Sequence, residues 1–139
     1  MPSRDRYHEL VVKALVADGW EITHDPLTLS YGGRDLYVDL GATNGTIGAV
    51  RHGERIAVEI KSFLSPSVLA DLEVAVGQHA IYRAVLAAID ADRKLFLAVP
   101  RRIHEGVLSE RLGQLVLQTQ QLSLVVFDEH SERIVRWLP

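Results

Sequence analysis

The chain contains no cysteine. Disulfides, thiolate metal sites and a cysteine nucleophile are therefore all excluded, and a reducing compartment suits it. It also lacks an apolar run of membrane-spanning length, and the opening MPSRDRYHEL carries no apolar signal segment, so a cytoplasmic protein without a membrane association is expected. An excess of basic residues is missing too. Fifteen Lys and Arg against 18 Asp and Glu leave a net charge of −3, whereas a domain that holds nucleic acid by its own field is usually basic. Any contact with DNA must then be local, metal-mediated or assisted by a partner. What remains is an ordinary globular composition, and 139 residues suffice for a single domain over 1–139.

Along the chain, Ser3 is placed to cap a helix from about Arg4 to Asp18, whose apolar residues Leu10, Val11, Ala14, Leu15 and Ala17 recur at helical spacing. A short strand at Trp20–Thr23 leads to a turn at His24-Asp25-Pro26. Tyr31-Gly32-Gly33-Arg34 reads as a hairpin turn into a strand at Asp35–Leu40. Another short strand is expected at Thr46–Arg51, then a turn at His52-Gly53. Arg55–Phe63 is the clearest strand, with Ala57, Glu59, Lys61 and Phe63 on one face and Val58, Ile60 and Ser62 on the other. Ser65-Pro66 should start a helix reaching about Ala88, with Leu69, Leu72, Val76, Ala80 and Leu86 buried. Leu95–Val99 is a strand closed by Pro100, Arg101–Glu110 and Leu112–Gln121 are short helices, and Leu122–Phe127 with Arg133–Leu138 form a terminal hairpin. This order predicts an α/β fold, a mixed β-sheet flanked by helices.

Chemistry concentrates at Asp39, Glu59 and Lys61. Glu59 and Lys61 are two apart on a strand, so both leave the sheet on the same face, and Asp39 ends the preceding long strand. Two hard carboxylates with carbonyls and water suit Mg²⁺ or Mn²⁺. A divalent ion there favours in-line attack on a phosphodiester, and a neighbouring lysine orients the water and offsets phosphate charge. The plainer reading is an alternating half-exposed strand, which Val58-Glu59-Ile60-Lys61 also satisfies.

Longer stretches carry a resemblance. They include Arg6-Tyr7-His8-Glu9-Leu10-Val11, Asp18 through Leu27, Leu36-Tyr37-Val38-Asp39-Leu40-Gly41-Ala42, Ile56 through Phe63, Asp71-Leu72-Glu73, Gly77-Gln78, Tyr82-Arg83, Gly113-Gln114-Leu115, Val126-Phe127-Asp128 and Arg136-Trp137. Through these the chain resembles the XisH family of fdxN element excision controlling factors, and more broadly the PD-(D/E)XK restriction-endonuclease-like superfamily. The resemblance implies a DNA excision or recombination system, with DNA, an XisI-like protein and a site-specific recombinase as partners. It further implies Asp39 and Glu59 as metal ligands, Lys61 as the catalytic lysine, and Glu9 as a helical acid completing the metal shell. Gln78 and Tyr82 match a Q-x-x-x-Y pattern near such sites. The proline of the superfamily name is absent, since Val38 precedes Asp39.

Other candidates are weaker. The histidines His8, His24, His52, His79, His104 and His130 show no zinc spacing and most are expected on the surface or in turns, with His24-Asp25 either lining the cleft or building the turn. Arg101-Arg102 is a phosphate contact or a solvated pair. Two functions follow: a Mg²⁺-dependent DNA endonuclease, or a non-catalytic nuclease-fold protein acting through a partner. A homo-oligomer or hetero-complex is expected, with the terminal hairpin Leu122–Leu138 as a contact surface because it lies outside the nuclease-like core.

Overall fold

The structure, a computed structural model, describes residues 7–44 and 53–139. The expected cap Ser3, the first turn from Arg4, the strand Thr46–Arg51 and His52 lie outside them. Helix α1 (His8–Ala17) is followed by β1 (Glu21–His24), β2 (Leu27–Tyr31), β3 (Arg34–Val38), β4 (Leu40–Thr43) and β5 (Arg55–Ile60). Helix α2 (Val68–Ile89), β6 (Lys94–Pro100), α3 (Arg101–Glu105), a 3₁₀ turn (Val107–Ser109), α4 (Arg111–Thr119), β7 (Leu124–Asp128) and β8 (Arg133–Leu138) complete the chain.

Six strands form one mixed sheet in the order β1-β4-β5-β6-β7-β8, and β2-β3 form a separate hairpin. The turn between β2 and β3 is made by Gly32 and Gly33 at φ +61° and +78°, a left-handed pair that glycine adopts without strain. β5, β6 and β7 run parallel, and the outer neighbours run antiparallel. Parallel strands are covered on both faces, which is why β6 and β7 read as nearly unbroken apolar runs.

Alternation along the strands sorts the core into two layers. Ile56, Val58 and Ile60 of β5, Phe96 and Ala98 of β6, and Val125 and Phe127 of β7 pack against Val11 and Leu15 of α1. On the opposite face, Leu97, Val99, Leu124 and Val126 pack with Leu72 and Ala75 of α2, Ile103 and Leu108, while Ala57 and Leu95 pack with Leu86 and the β2-β3 hairpin. Glu59 therefore belongs to the face that α2 covers.

Several expected boundaries move. The strand predicted at Asp35–Leu40 breaks at Asp39, where the chain leaves the hairpin for the main sheet. Helix α2 starts at Val68 instead of Pro66, because Ser67 is the cap: its side chain accepts from the Ala70 amide at 3.1 Å. Leu69 and Ala80, expected in the core, are exposed. The helix is apolar almost all round, so composition does not fix its phase. The predicted helix Arg101–Glu110 divides at Gly106 into α3 and the 3₁₀ turn. The terminal hairpin joins the main sheet, with β7 buried between β6 and β8 and β8 at one edge.

Gly113 shows how tightly α4 seats on the 3₁₀ turn. A Cβ there would stand 2.1 Å from the Val107 carbonyl oxygen and 2.6 Å from the Leu108 Cα, both backbone atoms. Gly113→Ala is expected to destabilise the fold by about 3 kcal/mol, as overpacking against unyielding backbone does. Denaturant unfolding measures this, and a loss below about 0.5 kcal/mol contradicts the packing.

Candidate active site

The site forms where the β4-β5 ladder ends. The antiparallel register pairs Leu40 with Val58, so Asp39 stands opposite Glu59 one step beyond it. Backbone pairing stops there and side chains continue it. The Asp39 amide donates to Glu59 Oε1 at 3.1 Å, and the Ile60 amide donates to Asp39 Oδ2 at 2.8 Å. Lys61, one residue past β5, keeps its backbone fixed through its amide to the Ala98 carbonyl at 2.9 Å. Its ammonium lies 3.4 Å from Glu59 Oε2.

Glu59 is buried at 6 % exposure. Burial, and then the nearby Asp39 charge, push its carboxyl up to about 7, although Lys61 and the Asp39 amide pull the other way. Tyr82 reaches the same point from α2. Its phenol is pushed up to about 12 by burial and by the Glu59 and Asp39 charges, so it remains a hydrogen-bond donor throughout the neutral range. One turn earlier on α2, Gln78 Oε1 is buried without a hydrogen-bond partner among the described residues.

Asp39, Glu59, Lys61 and Tyr82 are thus brought together, and Gln78 lies on the same stretch of α2. Glu9 is exposed on α1, and no three His, Asp or Glu side chains among the described residues converge into a metal-holding group. The donor set that is present, two adjoining carboxylates of which one is hard to ionise alone, fits a Mg²⁺ or Mn²⁺ ion that keeps several waters.

Three features escape the sequence reading. Arg102, taken as a phosphate contact or a solvated residue, instead donates to the Ser62 and Phe63 carbonyls and to Glu129 Oε1, at 3.1 Å for the last. It clamps the chain just after Lys61, where Phe63 adopts a left-handed φ of +54°. Arg101 pairs with Glu105 at 2.9 Å. His8 and His79 are buried, not at the surface. His8 bonds Asp25 Oδ1 at 2.8 Å and extends the Val11-Leu15 stripe back by one turn, a spacing that announces its burial. Asp25 thereby ties the turn before Pro26 to α1. A cleft of about 590 Å³ opens elsewhere, lined by Arg83, Arg93 and Lys94. Arg93 is already engaged by Asp90 and the Ile56 carbonyl.

A mixed sheet with α1 on one face and α2 on the other, carrying an Asp-Glu-Lys cluster where two strands part, is an α/β nuclease-like fold. The sequence profile described as XisH protein matches residues 1–135, and the chain belongs to the XisH family. Two crystal structures are similar over their whole lengths. An fdxN element excision controlling factor protein from Anabaena variabilis is 37 % identical, with 98 % of this chain and 100 % of that chain covered and a TM-score of 0.87. An XisH family protein from Nostoc punctiforme PCC 73102 is 35 % identical, with 97 % and 100 % covered and a TM-score of 0.86. No curated protein matches the chain.

Proposed function

We propose that this protein controls excision of a DNA element and that its Asp39-Glu59-Lys61 site hydrolyses DNA phosphodiesters with Mg²⁺ or Mn²⁺. The observation that carries the proposal is the convergence of two carboxylates and an ammonium at the end of the β4-β5 ladder. The excision role rests on family membership and on the Anabaena variabilis relative, described as an excision controlling factor.

The division of labour follows from the geometry. A divalent ion held by Asp39 and Glu59 would supply charge to the phosphate and acidify a water. Hydrolysis would form a P–O bond from a water as the opposite P–O bond breaks, with the water's proton released to solvent and the leaving oxygen protonated from solvent. Lys61 presents its ammonium where phosphate charge builds up, fixed by Glu59 on one side and by its own backbone on the other. Tyr82, neutral and half-buried, offers a donor to a phosphate oxygen. Gln78 Oε1, buried without a partner among the described residues, is an acceptor that a water in the site would satisfy.

The net charge of −3 supports a second reading, a nuclease-fold protein that works by binding an XisI-like protein or a recombinase. Both are tested together. Incubation with supercoiled, branched and single-stranded DNA at low salt, with Mg²⁺ or Mn²⁺ and with the XisI-like partner present, is expected to yield metal-dependent nicks that Asp39→Ala abolishes. Absence of cleavage on all three substrates, with the partner still bound, selects the second reading.

A further inference from the structure

The strand that carries Glu59 ends without its last ladder bond. In the β5-β6 register the Lys61 amide donates to the Ala98 carbonyl, and the next bond would run from residue 100 to the Lys61 carbonyl. Residue 100 is proline, which has no N–H to give. Main-chain pairing with β6 therefore stops at Lys61, and the chain beyond it needs another hold.

Arg102, two residues past that proline on α3, supplies it. Its guanidinium forks onto two successive carbonyls, Ser62 and Phe63, the second at 3.2 Å. Its Nε donates to Glu129 Oε1 at 3.1 Å, and Glu129 Oε2 accepts from the Tyr7 hydroxyl at the start of α1. The Tyr7 ring stands edge-on to Phe127, with 5.7 Å between centroids, against the α1 layer of the core. The start of α1, the β7-β8 turn, α3 and the end of β5 meet at one arginine.

Phe63 sits at φ +54°, a left-handed conformation that a bulky residue keeps only where its surroundings impose it. Its ring is buried with Leu97, Val99 and Ile103. Packing fixes the ring, and the arginine fork fixes the peptide planes on either side of it. Lys61 lies between the last ladder bond and this fork. With both sides held, its ammonium stays 3.4 Å from Glu59 Oε2. Released on the far side, the chain can turn about the Lys61 N–Cα bond, which swings the side chain away.

We propose that Arg102 is a positioning residue for Lys61: its fork on the Ser62 and Phe63 carbonyls, aimed by Glu129, keeps the Lys61 ammonium beside Glu59. The catalytic consequence rests on the proposed hydrolytic role of Lys61, and the geometric part does not.

Lysine at position 102 keeps the charge and most of the stem but has no planar fork, so Arg102→Lys is the test. In metal-dependent nicking its kcat is expected to fall on the order of 10²-fold, the scale of a misplacement of about 1 Å, with KM for DNA and metal affinity unchanged. Glu129→Gln, which weakens the aim, lowers kcat in the same sense. The two substitutions together cost no more than Arg102→Lys alone, because Glu129 acts through the arginine. The Arg102 side chain is 40 % exposed, so direct contact with a DNA phosphate is the competing role. A raised KM with kcat unchanged shows that role and overturns the proposal.

Relaxation of ¹⁵N in the Lys61 ammonium and in amides 61–64, measured on the metal-free full chain without DNA, reads the positioning apart from any cleavage. Arg102→Lys is expected to loosen this segment and its ammonium, while Lys94, held over the Phe96 ring, keeps its wild-type mobility. Glu129→Gln carries the same readout should Arg102→Lys lose its fold. A wild type that never nicks DNA removes the hydrolytic role, and the relaxation data still decide the positioning. A Lys61 ammonium as ordered in both variants as in the wild type overturns the proposal, whether or not the protein cuts.

Discussion

Lys61→Ala is expected to lower metal-dependent nicking by about 10²–10³-fold, the scale of losing one charge-stabilising donor, while the protein stays folded and still takes up the ion. The ammonium pairs with Glu59 while the stem is largely buried, so Lys61→Met, which keeps the stem, serves as the control for lost packing. Lys61→Ala does remove a charge that helps Glu59 ionise, so Glu59 should hold its proton to a somewhat higher pH in the variant. Metal binding by Lys61→Ala should therefore recover when pH is raised from 7 to about 8.5, whereas the nicking rate should not. Measuring rate and metal affinity across that range separates the two roles. Nicking that survives Lys61→Ala unchanged points to a contaminating nuclease and removes the catalytic reading.

Glu59→Gln should change stability in opposite senses with and without metal. In the wild type the carboxyl is raised to about 7 from an ordinary value of 4.5. Between those two pH values the folded protein holds a proton that the unfolded chain has released, so this contribution to stability falls as pH rises through the window. His79 acts oppositely. Burial, and then the Arg83 charge, lower its imidazole from 6.5 to about 4, so its contribution rises with pH over that interval. In the wild type the two slopes oppose each other between about 4.5 and 6.5. In Glu59→Gln the His79 slope stands alone, and above pH 7 the variant should be more stable than the metal-free wild type, on the order of 2 kcal/mol. At pH 8 with Mg²⁺ or Mn²⁺ near a hundredfold excess over Kd, the wild type should melt roughly 5–10 °C higher, and Glu59→Gln should not respond. Thermal melts over pH 4–8 with and without the ion test both halves. An equal metal response in the two proteins places the ion elsewhere.

The residues that announced themselves in the sequence were those whose surroundings are local. β5 was legible because strict alternation separates Ala57 and Glu59 from Val58 and Ile60, and the structure keeps that separation between the α2 and α1 layers. The Gly32-Gly33 turn was legible because a two-residue hairpin needs backbone that only such a pair adopts easily. Residues whose roles depend on distant partners were not. Arg102 is separated from Ser62 by forty positions, and nothing in Pro100-Arg101-Arg102 signals that its guanidinium will close the end of another strand. The break at Asp39 was hidden for a similar reason. A run such as Leu36-Tyr37-Val38-Asp39-Leu40 has uniform strand character, and only the change of pairing partner from β2 to β5 bends it. The phase of α2 was concealed by its exposed apolar face, which no described residue covers, so Leu69 and Ala80 were assigned inward.

The exchange of hydrogen bonds between Asp39 and the Glu59-Ile60 pair has a consequence for how such a site is inherited. Asp39 closes the β4-β5 ladder with its carboxylate as well as facing the proposed ion. A substitution there breaks a structural joint in the same stroke as it disarms chemistry. Selection for foldability alone therefore retains Asp39, even in a lineage that has abandoned cleavage. Lys61 has no such second duty, for its side chain contacts only Glu59 among the interactions that define the joint. Drift should erode the lysine first. Under the proposed hydrolytic role, the lysine and not the aspartate is the position at which relatives of this chain should diverge first.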